Sequence, residues 1–258
     1  MRVVEAGSPG GTTVVGLHGW GASAYSFRHL LPLLAGAGLR GVALDLRGHG
    51  LSDKPTDAQS YGAAEMTRQV VNALNALDLT SAVLVGQSMG GALAIDVAGA
   101  DPGRIRGVVL VAPVGFTPIR RISVARALKA SRWLGGRVPR WAVRLLLQRV
   151  YGTLRTFDQR DVDEYWAAAQ FAEWPRALFQ LVNEFDWTRR PAERLRSIAG
   201  QLQVLFGERD KLIHAASALR RARMLTSEQV TVVAGGGHLL AEEAPEQVLL
   251  AIRRALGA

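Results

Sequence analysis

Residues Gly86-Gln87-Ser88-Met89-Gly90-Gly91 lie between a run of apolar, β-branched residues at 82–85 and a stretch with helical spacing. A serine at such a strand-to-helix turn is held in a strained backbone conformation, and glycines beside it leave room where a Cβ would clash. That geometry pushes the Ser88 hydroxyl into the open. The Met89 amide then points into the space beside it, at a helix N-terminus whose partial positive charge favours a developing oxyanion. A glycine-rich turn used only for helix packing or phosphate binding shares the bare motif. The strand before it and the helix after it favour the nucleophile.

A serine hydroxyl attacks poorly at neutral pH without a base in hydrogen-bond reach. Of the five histidines, His18 follows a strand, His29 falls in a helical pattern, His49 sits in a glycine turn and His214 lies past a strand end. His238 is the best placed, since it closes a strand at 230–233 through Ala234-Gly235-Gly236-Gly237, at an edge where sites in open α/β sheets gather. A base must also hold one tautomer, which needs a carboxylate at its other ring nitrogen. Asp210 ends the run 202–210 at the same kind of strand end. Glu208 is its rival, and it stands close enough to Arg209 to pair with it in solvent.

Short apolar runs at 13–17, 41–44, 82–85, 105–111, 202–206 and 230–233 must position these groups. They are too uniformly apolar to alternate, so they predict a parallel sheet covered on both faces. Helices are expected between them at 25–35, 62–77, 89–99, 215–224 and 245–256. The pattern breaks once. Between Pro113 and Pro191 the segments 122–134, 141–151, 161–170 and 175–185 look helical, with glycines and prolines between them and no strand. A helical lid over residues 114–190 is expected, on a core made of residues 1–113 and 191–258.

With 258 residues, 48% of them hydrophobic, the chain has enough material for one large core and little for two. No apolar run approaches the about 18 residues of a membrane span, and the first residues lack the pattern of a secretory leader, so a cytoplasmic location is expected. The absence of cysteine excludes disulfides, thiolate metal sites and a cysteine nucleophile. Neither a metal nor another cofactor is expected. The net charge of +9 would raise nucleic acid as a partner, yet residues 114–157 hold no Asp or Glu and carry ten Lys and Arg, from Arg120 to Arg155. The excess belongs to one segment, and nucleic acid is set aside.

Five segments together resemble the α/β-hydrolase superfamily along nearly the whole chain. His18-Gly19-Trp20-Gly21 is similar to the family's oxyanion loop, and Asp45-Leu46-Arg47-Gly48-His49-Gly50-Leu51-Ser52-Asp53 to its arginine-glycine turn. The serine turn, acid loop and histidine loop follow in the family's order of Ser, Asp and His. The resemblance implies a mostly parallel central sheet with helices on both faces and a helical lid inserted after the sixth strand. It also implies that the Trp20 amide is the second oxyanion donor beside Met89, with the Trp20 side chain against the acyl pocket. His18 and residues 45–53 are expected to brace loops. Relatives with such a lid often carry His or Asn where this chain has Gln87, and proline is common where His214 stands. The stretch before Thr13 is short beside relatives that begin with an antiparallel hairpin, so one edge strand is expected to be missing.

The implied reaction is cleavage of a carboxylic ester through an acyl-enzyme. The same machinery serves carbon–carbon bond hydrolysis of dienoic diketones, perhydrolysis and acyl transfer to acceptors other than water, and these stay open. A non-catalytic, ligand-binding member of the fold is disfavoured by the complete triad. Epoxide hydrolases and haloalkane dehalogenases carry an aspartate where this chain has Ser88. The expected partner is a small-molecule ester, anionic or lipid-like, with Trp20, Trp133, Trp141 and Trp166 as candidate binding residues; other apolar lid residues, Leu145, Leu146, Phe171, Trp174 and Phe179, are expected to line or roof the pocket. The basic segment reads as a solvated face whose arginine stems cover apolar surface. Attraction of an anionic substrate and weak contact with an anionic membrane are its functional alternatives.

Overall fold

Fully buried strands need cover on both faces, and the arrangement of the apolar runs follows from that requirement. In a computed structural model, which describes residues 1–115, 138–188, 190, 198, 202–213 and 229–257, they form strands β1 (Val3–Ala6), β2 (Thr13–Leu17), β3 (Arg40–Leu44), β4 (Ala82–Gln87), β5 (Ile105–Val111), β6 (Leu202–Gly207) and β7 (Val230–Val233). They make one sheet in the order β1-β3-β2-β4-β5-β6-β7. Only β1 runs antiparallel, pairing Val3 with Leu44 and Ala6 with Gly41. The other pairings are parallel, so the loops after β2, β4, β6 and β7 all emerge at one edge.

Because side chains alternate along a strand, consecutive residues feed opposite cores. Val15, Leu17, Leu84, Val108, Leu110 and Phe206 pack with helices α2 (Ala63–Ala76) and α3 (Met89–Ala100) on one face. Val14, Val83, Val85, Val109, Val111 and Leu205 pack with α1 (Leu30–Gly36) on the other. In α2 the buried Met66, Val70 and Leu74 recur every fourth residue, the spacing of one helix face.

The remaining described helices are α4 (Arg140–Val150), α5 (Gln159–Ala168), α6 (Trp174–Glu184), α7 (Leu240–Glu243) and α8 (Pro245–Ala255). Helix α5 starts where Asp158 accepts the Asp161 amide at 3.0 Å and Asp161 returns the favour to the Asp158 amide at 2.9 Å, a reciprocal cap. Helices α4 and α5 bury Val143, Leu147, Val150 and Val162 against Leu239 of the histidine loop. Helix α6 instead adds Ala177, Leu178 and Leu181 to the core of the sheet.

Three differences from the sequence expectations have physical causes. Strand β1 is present although three of its four residues are only half-buried and Glu5 is exposed, the ordinary state of an edge strand. The segment 114–190 follows the fifth described strand and not the sixth, because a single antiparallel strand, β1, precedes β2. The helix expected at 25–35 is split into a 3₁₀ turn, Ala24–Phe27, and α1, with His29 just before α1. The helices expected at 122–134 and 215–224 lie outside the described residues.

A buried polar cluster ties α4 and α5 to the core. Arg28 pairs with Glu242 and with Asp161, each at 2.6 Å. The Tyr151 hydroxyl donates to Glu242 at 2.6 Å, Tyr165 donates to the other oxygen of that carboxylate, and Tyr25 donates to Asp161 at 3.0 Å. Burial and the neighbouring carboxylates push the Tyr25 phenol up to about 12 and raise the Tyr151 and Tyr165 phenols as well. All three remain hydrogen-bond donors across the working pH range. No helix among the described residues is long and apolar enough to cross a membrane.

Candidate active site

Strand β4 delivers Ser88 to the edge with φ 54° and ψ −117°, a conformation that is rare for a residue with a Cβ. The turn persists because its surroundings fix it. The Ser88 amide donates to Val111 at 2.9 Å, and its carbonyl accepts from Gly91 and Val114, each at 2.9 Å. The glycines are sterically required, since a Cβ on Gly90 would lie 2.0 Å from the Leu17 carbonyl oxygen and one on Gly86 2.3 Å from that of Gly90.

From the β7 loop, His238 Nε2 meets Ser88 Oγ at 2.9 Å, and its Nδ1 meets Asp210 Oδ2 at 2.8 Å. A carboxylate only accepts, so the proton belongs on Nδ1 and Nε2 is left as an acceptor facing the hydroxyl. The second Asp210 oxygen accepts the amides of Leu212 at 2.7 Å and Ile213 at 2.9 Å, which fixes the carboxylate plane. Ser88, Asp210 and His238 are therefore brought together, with the acid and the base both buried. Glu208 is exposed and accepts the Gly235 amide at 2.9 Å, so the rival acid braces the histidine loop.

The β2 loop carries the other expected donor. Gly19 lies against the serine, because a Cβ there would sit 3.1 Å from Ser88 Cβ. Among the described residues, neither the Trp20 amide nor the Met89 amide donates to a protein acceptor. The Trp20 indole donates to the Leu178 carbonyl at 3.2 Å, pinning the loop under α6. His18 braces the same loop: Nδ1 donates to the Gly19 carbonyl at 2.8 Å and Nε2 accepts the Leu46 amide at 3.0 Å. The buried Asp45 carboxylate takes the amides of Ala24 at 2.7 Å and Leu51 at 2.8 Å. The arginine-glycine turn thus has the bracing position expected of it.

His49 lies edge-on to His18, with ring centroids 4.9 Å apart. Burial, the largest cause, holds both imidazoles below the ordinary histidine value of 6.5, with the backbone carbonyls of Gly19 and Arg47 opposing it. In the unfolded chain both bind protons near 6.5, so their contribution to stability is complete above that pH and is lost as the pH falls below it. The urea midpoint is expected to drop between about pH 8 and about pH 5.5, with a smaller slope in His49→Phe. A midpoint that held or rose on acidification would contradict the assignment.

The lid tryptophans divide. Trp133 lies outside the described residues, as does His214. Trp141 is 62% exposed: α4 turns Val143, Leu147 and Val150 inward, and Trp141, Leu145 and Leu146 fall on the outer side. Phe171 and Phe179 are also exposed, whereas Trp174 is buried. Trp166 donates to the Val138 carbonyl at 2.9 Å with the Arg140 guanidinium 3.7 Å above its ring, so it packs against the start of α4. The basic segment is countered in space at Arg140, which pairs with Asp163 at 2.6 Å, while Arg144 donates to the neutral Gln159 carboxamide at 2.6 Å.

Residue-by-residue reasoning missed the acids after His238. Glu243 accepts the Gly237 amide at 3.2 Å and the Gly152 amide at 2.7 Å, while the His238 amide donates to the Val150 carbonyl at 2.7 Å. Two adjacent carboxylates in the otherwise apolar stretch 239–245 were the available signal.

The family model described as alpha/beta hydrolase fold matches residues 12–245. The dihydrolipoyllysine-residue acetyltransferase component of the acetoin cleaving system of Pseudomonas putida is 31% identical over 250 residues, which are 96% of this chain and 64% of that protein. Epoxide hydrolase A of Mycobacterium tuberculosis is 41% identical over 90 residues, 35% of this chain and 28% of that protein. The chain thus spans less than two thirds of the length of either. Among solved structures, 2-hydroxy-6-oxo-6-phenylhexa-2,4-dienoate hydrolase from Rhodococcus sp. strain RHA1 superposes with a TM-score of 0.81 at 22% identity, over 99% of this chain and 94% of that one.

Proposed function

Because the chain belongs to the alpha/beta hydrolase fold family, we propose that it is a serine hydrolase that cleaves carboxylic esters through an acyl-enzyme. The observation that carries this reading is the unbroken hydrogen-bond chain from Asp210 through His238 to Ser88 Oγ, 2.8 Å and 2.9 Å long. Nε2 takes the hydroxyl proton as Oγ attacks the ester carbonyl, and Asp210 stabilises the imidazolium that forms. The Trp20 and Met89 amides receive the oxyanion. The alkoxide departs with the proton from Nε2, and water repeats the sequence on the acyl-enzyme.

Opening an epoxide through an alkyl-ester intermediate needs a carboxylate nucleophile at the turn, and Ser88 does not supply one. Residues Trp20 and Trp166 are assigned to substrate less directly than the triad, since the indole N–H of each is already bonded to a main-chain carbonyl. The substrate is a small-molecule ester, and the absence of cysteine accords with a reducing, cytoplasmic setting.

The test is a fluorophosphonate probe followed by peptide mapping, with p-nitrophenyl esters of increasing acyl length assayed in parallel. Expected are an adduct on Ser88 and hydrolysis with a preference for one range of chain length. Labelling without ester hydrolysis, together with cleavage of a 2-hydroxy-6-oxo-dienoate, would move the assignment to carbon–carbon bond hydrolysis. No adduct and no turnover would sink it.

A further inference from the structure

The residue before the nucleophile is a glutamine, and its side chain is 1% exposed. Its Nε2 donates to the His238 carbonyl at 3.0 Å, and its Oε1 accepts the Ala241 amide at 3.1 Å. Ala241 lies in the first turn of α7, where amides have no partner within the helix. One carboxamide therefore satisfies a main-chain acceptor at the histidine and a main-chain donor three residues further on. Since the His238 amide is bonded to Val150 at 2.7 Å, both main-chain polar groups of the histidine are fixed. One of them is fixed by the residue covalently joined to Ser88.

We infer that Gln87 is a positioning residue for the base, setting the main chain of His238 relative to Ser88 so that the 2.9 Å contact between Nε2 and Oγ is built in before substrate arrives. The inference rests on the hydrolase reading above. Gln87 touches neither reacting atom. It acts through the two ends of the turn 238–241, and a side chain without both a donor and an acceptor cannot hold them. A misplacement of about 1 Å between nucleophile and base costs on the order of 10²-fold in rate without altering substrate binding.

The test compares wild type with Gln87→Met, which keeps the length and loses both hydrogen bonds, and Gln87→Glu, which when ionised keeps the acceptor and loses the donor. Steady-state kinetics on a p-nitrophenyl ester, rates of fluorophosphonate labelling and urea midpoints are read for each. For Gln87→Met we expect kcat lower by about 10²-fold, a parallel fall in labelling rate and a KM within about twofold. For Gln87→Glu at about pH 8 we expect a loss in the same direction. If Gln87→Met fails to fold, Gln87→Glu decides alone. Wild-type kcat in the folded variants overturns the clamp, as does a loss confined to KM and the unfolding midpoint. A wild-type enzyme that neither labels nor turns over overturns the hydrolase reading instead.

Discussion

Ser88→Ala is expected to lower ester turnover by about 10⁵-fold or more, because serine and histidine act as a unit and neither replaces the other. The variant should fold. The Ser88 side chain bonds to His238 Nε2, and alanine has the same Cβ at the unusual φ of 54° that serine already tolerates. The main-chain bonds that hold the turn, from the Ser88 amide to Val111 and from Gly91 and Val114 to the Ser88 carbonyl, do not involve the hydroxyl. Residual activity would come from the Trp20 and Met89 amides and from substrate positioning. The measurement is kcat on the best p-nitrophenyl ester after contaminating esterase has been excluded. Wild-type turnover in the variant would remove the nucleophile from Ser88.

Asp210→Asn is expected to cost about 10⁴-fold in kcat with little change in fold. The two oxygens of Asp210 have different duties: Oδ1 accepts the Leu212 and Ile213 amides and Oδ2 accepts from His238 Nδ1. An asparagine keeps its oxygen on the two amides and so turns its NH₂ toward the imidazole. Nδ1 must then accept, the ring proton moves to Nε2, and the face toward Ser88 becomes a donor that can remove nothing. The loss should fall on kcat, with the urea midpoint close to wild type. A kcat within tenfold of wild type would mean that another group fixes the tautomer.

The convergence of Ser88, Asp210 and His238 was legible because each follows a continuous apolar strand and adjoins a glycine-rich or sharply turning segment, and parallel strands leave their ends at one edge. The choice between Asp210 and Glu208 was harder, since both acids follow β6. In the structure a turn buries the Asp210 carboxylate under two amides and leaves Glu208 exposed. Strand β1 was invisible because four residues at a half-buried edge carry almost no periodic signal. In α4, apolar residues occupy both sides, so Trp141 and Leu145 could not be told from Val143 and Leu147 until packing selected a face. Gln87 was visible only as an unusual residue at its position. Its duty depends on a loop 151 residues away.

The bond from the His238 amide to the Val150 carbonyl bears on protein engineering. An exchange of the segment that ends α4 cannot be judged on side chains alone. A graft has to present a peptide oxygen where that of Val150 now sits, whatever its sequence. Otherwise the exchange frees the main chain of His238 whatever its side chains do.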